Sequence, residues 1–293
     1  MPRKHQGISR QVNRERDCTK PASGATNAKV HGVARVISKR GFCSRSQAEN
    51  LVREGRVSLR GKIVRDPETP ARENDEICID RKPIKASEFV YFMMNKPRGY
   101  VTTANDEKGR ATVMDLFREE YAKMFPGKPV PHISPVGRLD AASEGLLLFT
   151  NDTKWADTLL KTKDAIRSKV TEHAEVPRIG NEPLAYPHTK IYRVQVGGHP
   201  TADDLAKMEK GFFVSPRVFG EKEEFMHAVR AVFHRESEKN CWLEITLDEG
   251  KNREIRRMLA HLGYEVLRLV RIKFCSYELG DLKQGEIKEF HLK

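Results

Sequence analysis

The stretch Gly137-Arg138-Leu139-Asp140-Ala141-Ala142-Ser143-Glu144-Gly145-Leu146-Leu147-Leu148-Phe149-Thr150-Asn151-Asp152 governs how the rest of the chain reads. Its second half, Leu146 to Thr150, is a short apolar run whose length and flanks make it a buried strand. Its first half places an aspartate in a glycine-bounded loop immediately before that strand. Such a residue is rigidly held and can face a cleft. A turn-forming aspartate that bonds its own backbone gives the same local pattern, and this segment alone does not separate the two.

Outward from it, the chain from Glu88 onward is rich in strand patterns. Phe89-Val90-Tyr91-Phe92-Met93-Met94 reads as a strand, with Asn95-Lys96-Pro97-Arg98-Gly99-Tyr100 as the turn after it. Ile191 to Val196 and Trp242 to Leu247 alternate with period two. Helices are expected at Lys154–Lys161, Ala202–Gly211 and Glu254–Leu262. Strands interspersed with helices over residues 88–293 predict one mixed α+β domain around a mainly antiparallel sheet. Residues 162–190 are polar, contain prolines and lack periodicity, which marks a long loop or insertion.

Upstream, residues 30–87 read as a small α+β module. Val33, Val36 and Ile37 follow helical spacing up to Gly41, and Ser44-Arg45-Ser46-Gln47 has the form of a capping box. The helix it opens carries Ala48, Leu51 and Val52 on one face and stops at Gly55. Val57, Leu59, Ile63 and Val64 flank a turn at Arg60-Gly61, and Glu76 to Asp80 adds a strand. Residues 1–29 carry many Lys and Arg and almost no bulky apolar side chains, so a disordered basic arm is expected there.

The whole chain has 53 Lys and Arg against 41 Asp and Glu, a formal charge of +12, which favours a polyanionic partner. Five cysteines, at 18, 43, 78, 241 and 275, form no CxxC pair, so neither a zinc knuckle nor a disulfide framework is expected and reduced thiols are. No segment approaches the roughly 20 apolar residues of a membrane span. Met1-Pro2-Arg3-Lys4-His5 lacks the apolar core of a signal peptide. A soluble cytoplasmic protein is the expectation.

Two further segments carry chemistry. Thr189-Lys190-Ile191-Tyr192-Arg193-Val194 offers a tyrosine that serves either in cross-strand packing or as a ring on which an extruded base stacks. Gly250-Lys251-Asn252-Arg253-Glu254-Ile255-Arg256-Arg257-Met258-Leu259 opens a helix with Ile255, Met258, Leu259 and Leu262 on one stripe and Arg253, Arg256 and Arg257 on another. That basic face is either simply solvated or an anion site. The helix dipole disfavours cations at an N-terminus unless an anion lies nearby.

The run from Ser44 to Val57 resembles the S4 RNA-binding domain, departing from it only where Leu59-Arg60-Gly61 replaces the usual Val-Asn-Gly turn. Behind it, the Asp140, Tyr192 and Arg256 segments, in this order, resemble the S4-domain-containing rRNA pseudouridine synthases. The Asn95-Lys96-Pro97-Arg98-Gly99 element matches that family as well. The resemblance covers about residues 31–293 without the insertion. It implies a small S4-like α+β module followed by a larger, mainly antiparallel pseudouridine synthase domain, with ribosomal RNA or a pre-ribosomal particle as partner. It further implies Asp140 as the catalytic carboxylate, Tyr192 as the aromatic residue against the target base, and Arg256 as the partner of the aspartate. Lys39, Arg40, Arg45 and Arg53 in the first module, and Lys96, Arg98, Arg138, Lys251, Arg253 and Arg257 in the second, are the candidates for RNA phosphates. The isomerisation is neither a net oxidation nor a hydrolysis, so no metal and no cofactor is expected. Gly109-Arg110-Ala111-Thr112-Val113 points toward large-subunit (23S) rRNA, and a monomer is expected. A non-catalytic S4-type RNA-binding or ribosome-assembly factor explains the charge equally well, but gives no reason for the three segments to occur together.

Overall fold

In the computed structural model, which describes residues 30–85, 87–103, 106–160, 178–179, 182–183, 188–215 and 222–292, Ser44 opens its helix by a reciprocal pair of bonds. The Gln47 amide donates to Ser44 Oγ at 3.2 Å, and the Ser44 amide donates to Gln47 Oε1 at 3.0 Å. The 1–29 arm and most of the 162–190 insertion lie outside the described residues. The chain divides into two units, the second beginning at Phe89.

The first unit runs β1 (Val30–Gly32), α1 (Val33–Lys39), α2 (Arg45–Arg53), β2 (Val57–Leu59), β3 (Lys62–Val64), β4 (Pro70–Arg72), β5 (Ile77–Ile79) and β6 (Lys82–Pro83). Arg60 and Gly61 both have positive φ, the conformation that a tight two-residue hairpin between β2 and β3 requires. A four-stranded sheet in the order β3-β2-β5-β6 buries Val57, Leu59, Ile77 and Ile79 against Val33, Val36, Ile37, Ala48 and Val52 of the two helices. The module therefore has its own core.

The second unit contains β7 (Tyr91–Lys96), α3 (Val113–Met124), β8 (Ser134–Val136), β9 (Glu144–Thr150), α4 (Thr153–Leu160), β10 (Arg178–Ile179), β11 (Glu182–Pro183), β12 (Lys190–Gly197), α5 (Ala202–Lys210), β13 (Phe212–Val214), β14 (Glu224–Met226), β15 (Arg230–Glu236), β16 (Asn240–Leu247), α6 (Glu254–His261), β17 (Val266–Phe274), β18 (Tyr277–Glu278) and β19 (Ile287–Phe290). Its sheet has nine strands in the path β15-β16-β12-β17-β9-β7-β19, with β18 beside β17 and β8 beside β9. Every pairing is antiparallel except that of β17 with β9.

All of β9 is buried. Leu147 and Phe149 pack with Phe92, Phe117, Tyr192, Val194 and Met258, while Leu146 and Leu148 pack with Val136, Phe274 and Trp155. Alternation thus sends successive residues into two cores, which explains an apolar run without a polar face. Gly145 is required at its start: φ is 100°, and a Cβ there would lie 2.3 Å from the Arg271 carbonyl oxygen.

Two expectations change. The strand expected at Phe89–Met94 spans Tyr91–Lys96 instead, because Asn95 and Lys96 continue the ladder opposite Leu146 and Gly145 and find backbone carbonyls for their side chains. Helix α3 was not anticipated; Thr112 and Asp115 cap it reciprocally, and it buries Val113, Met114, Leu116, Phe117 and Tyr121. Cys43, Cys241 and Cys275 are buried free thiols. Among the described residues no helix is long and apolar enough to cross a membrane.

Candidate active site

Asp140 sits on the loop between β8 and β9, and the loop's peptide groups are held almost without exception. The carbonyl of Leu139 accepts from Thr102 Oγ1 (2.7 Å) and that of Asp140 from Lys96 Nζ (3.1 Å). Ala141 accepts from the Gly99 amide (2.7 Å), Ala142 from Arg256 Nη2 (3.1 Å) and Ser143 from Lys96 Nζ (2.8 Å). Five consecutive carbonyls are thus engaged by groups from the 96–102 segment and from α6. Lys96 is fully buried, and burial pulls its ammonium down to about 8. The bland reading of Asp140 as a self-bonding turn former is only half right, since the Ser143 amide bonds the Asp140 carbonyl while the carboxylate stays outside.

That carboxylate is 36% exposed and meets Arg253, whose Nη1 lies 3.5 Å from Oδ2. Arg253 precedes α6 in the left-handed conformation, φ 52° and ψ 35°, which turns its side chain away from the helix face. Arg256, expected to pair with the aspartate, does not. Its guanidinium donates to the carbonyls of Ala142 and Val266, because it lies three residues further along, inside the helix, and meets backbone rather than the carboxylate. Burial lowers its pKa, and neighbouring Arg253 adds to that shift. The anion that the cationic start of this helix calls for is thus Asp140 itself.

Tyr192 comes from β12 and is 8% exposed, within the main core. Burial raises its phenol, the neighbouring Arg271 guanidinium pulls it the other way, and Glu254 and Asp140 also lie near enough to act on it. Arg271 is itself buried on β17, with Nε donating to the Leu146 carbonyl at 2.8 Å and its guanidinium 4.9 Å from the Phe274 ring centre. The three separated segments therefore do meet.

Several of the residues expected to meet phosphates have partners within the protein. Lys96 is committed to the loop carbonyls, and Arg40 to the carbonyls of Ile84, Glu73 and Asp75. Lys39 bonds Glu73, Lys251 bonds Glu249 and the Phe225 carbonyl, and Arg257 bonds Glu224 at 2.6 Å with little exposure. Arg45 and Arg53 pair with Glu49, and Arg45 also with Glu68, but both are exposed, and such pairs are weak enough for a phosphate to displace. Arg98 and Arg138 are exposed and have no ion-pair partner among the described residues. Sequence reasoning missed Thr102, Arg271 and the carboxyl pair at Glu249 and Glu254. Nothing in a lone threonine or in an alternating strand marks the first two.

The chain matches the family model for RNA pseudouridylate synthase over residues 90–261, more than half its length, and the model for the S4 domain over 33–77. The chain belongs to the RNA pseudouridylate synthase family. The synthase is 30% identical over 257 residues to the ribosomal large subunit pseudouridine synthase B of Bacillus subtilis, covering 88% of this chain and 91% of that one. It is 31% identical over 261 residues to a protein of Aquifex aeolicus named as an uncharacterized RNA pseudouridine synthase, covering 88% and 90%. A crystal structure of a pseudouridylate synthase shares the fold with a TM-score of 0.52 at 24% identity, over 89% of this chain and 96% of that one. An S4 module followed by a mainly antiparallel synthase domain is therefore the architecture of this enzyme.

Proposed function

We propose that the synthase isomerises specific uridines of ribosomal RNA, in the large subunit, with Asp140 as the essential carboxylate. The carrying observation is the half-exposed Asp140 carboxylate beside Arg253, on a loop whose five successive carbonyls are all engaged. The name of the B. subtilis relative supports the large-subunit substrate.

The reaction breaks N1–C1′, turns the uracil, joins C5 to C1′ and releases the C5 proton. Asp140 serves as nucleophile or base, with the Arg253 guanidinium 3.5 Å from its carboxylate. A rigid loop keeps the acid oriented without further ordering when substrate arrives. The uridine leaves its stack at a cost of a few kcal/mol, and Tyr192 is the aromatic residue against the extruded base. Arg256 holds the loop from behind, a positioning role rather than the pairing first expected. Arg98 and Arg138 are exposed cations for the phosphates flanking the uridine, and Arg45 and Arg53 are the exposed cations that the S4 module offers to RNA by itself.

Unmodified large-subunit rRNA labelled at uridine C5 tests this. Label release by the wild-type protein, abolished by Asp140→Asn with RNA affinity kept within about threefold, is the expected result. Bound rRNA with no release from any fragment sinks the reading.

A further inference from the structure

The turn that carries Arg253 closes on two carboxyl groups that face each other. Glu254, the first residue of α6, is 3% exposed. Its Oε2 accepts from the Lys251 amide at 3.1 Å, and the Glu254 amide donates back to the Lys251 carbonyl at 3.3 Å. Its other oxygen, Oε1, is buried and meets no donor among the described residues. The Glu249 carboxyl lies within hydrogen-bonding reach. Glu249 is already served by a cation, since Lys251 Nζ stands 2.5 Å from its Oε1. Two ionised carboxylates at this separation repel, and one buried oxygen is left without a partner. A single proton on Glu254 removes both problems.

We propose that Glu254 is a positioning residue acting as a neutral acid: it donates its carboxyl proton to the Glu249 carboxylate and locks the 249–254 turn that aims Arg253 at Asp140. This rests on the proposed role of Asp140. Burial is the leading cause that raises Glu254 to about 8, with Glu249 second. The groups facing the pair come from every neighbouring element. Lys251 lies on the turn, and Asp248 just before it is buried. His227 stands 3.7 Å from Asp248 and 3.8 Å from Glu249. Lys190 and Tyr192 of β12 and Arg271 of β17 complete the ring. Lys190 Nζ donates to the Glu249 carbonyl at 3.1 Å and not to Glu254. The nearby cations draw Glu254 toward ionisation without bonding it. Above neutrality the lost proton places a second negative charge against Glu249, the turn opens, and Arg253 and Arg256 leave the Asp140 loop together.

Two readouts on the full-length protein decide this. With glutamate side-chain carboxyls labelled with carbon-13, the resonance missing in Glu254→Gln stays at its protonated position up to about pH 8 in the wild type. Titration of that resonance in the ordinary range near about 4.3 overturns the proposal, and this reading is independent of any turnover. In the label-release assay, Glu254→Gln keeps kcat within about threefold of wild type at pH 7. Its advantage over wild type then grows by about tenfold per pH unit above about 8, because the amide cannot ionise. Glu254→Ala, which bonds neither Lys251 nor Glu249, loses about tenfold or more in kcat at every pH with KM little changed. Parallel pH profiles for wild type and Glu254→Gln, or a fully active Glu254→Ala, overturn the claim. A wild-type protein that releases no label defeats the synthase assignment of Asp140, while the carboxyl titration still decides the pair.

Discussion

Lys96 directs its ammonium to the carbonyls of Pro97, Asp140 and Ser143. Its replacement by Met orphans buried acceptors at about 1–3 kcal/mol each. Lys96→Met is therefore expected to lower the urea midpoint and to reduce kcat on the order of a hundredfold, whereas loss of a phosphate contact would raise KM and leave stability unchanged. Arg253 makes a prediction of mixed sign. A non-glycine residue at φ 52° carries about 1 kcal/mol of strain, so Arg253→Gly gains stability in urea while turnover falls at least about tenfold; unchanged turnover sinks the assignment of Arg253 as the partner of Asp140. Glu254 adds a pH dependence. Its folded-state pKa, about 8, is raised above the ordinary glutamate value, so its contribution to stability is complete below that ordinary value and is lost as pH climbs toward 8. Urea midpoints of wild type should decline over this window relative to Glu254→Gln, no more steeply than about 1.4 kcal/mol per pH unit.

Among the elements, those with a local signature were legible. Ser44-Arg45-Ser46-Gln47 announced α2 through its cap, and the apolar run after Gly145 announced β9. Helix α3 carries an equally good cap in Thr112 and Asp115 and an apolar stripe of Val113, Leu116, Phe117 and Tyr121, so its signature is local as well, although it is absent from the expectations above. Thr112→Ala should cost about 1 kcal/mol, visible as a lower thermal midpoint. The end of β7 was misplaced because Asn95 and Lys96 look like turn residues, and only long-range partners keep them in a strand. The same limit applies to the site. That Asp140, Tyr192 and Arg256 segments converge was readable from their co-occurrence; which arginine touches the acid was not, because it depends on one left-handed residue that no spacing reveals. At the parallel junction of β9 and β17, Gly145→Ala pushes a methyl into the Arg271 carbonyl, and insoluble or unfolded protein is the expected outcome on expression.

For the whole molecule, a charge of +12 says that RNA affinity falls with salt, but not which cations are responsible. The internal commitments of Arg40 and Arg257 separate them from Arg98 and Arg138. Replacing Arg98 or Arg138 by Ala should lower the slope of log affinity against log salt by about one each, while Arg40→Ala and Arg257→Ala leave the slope and cost stability. Equal slopes for all four would mean that the solvent-facing pair is not at the interface. The engagement of the 139–143 carbonyls has a consequence in time as well. Thr102, Gly99 and Lys96 precede the loop, but Arg256 follows it by more than a hundred residues. A chain regaining its structure forms strands and local caps early, whereas contacts so distant close late. Catalytic competence should then be the last property recovered on dilution from denaturant, trailing far-ultraviolet dichroism.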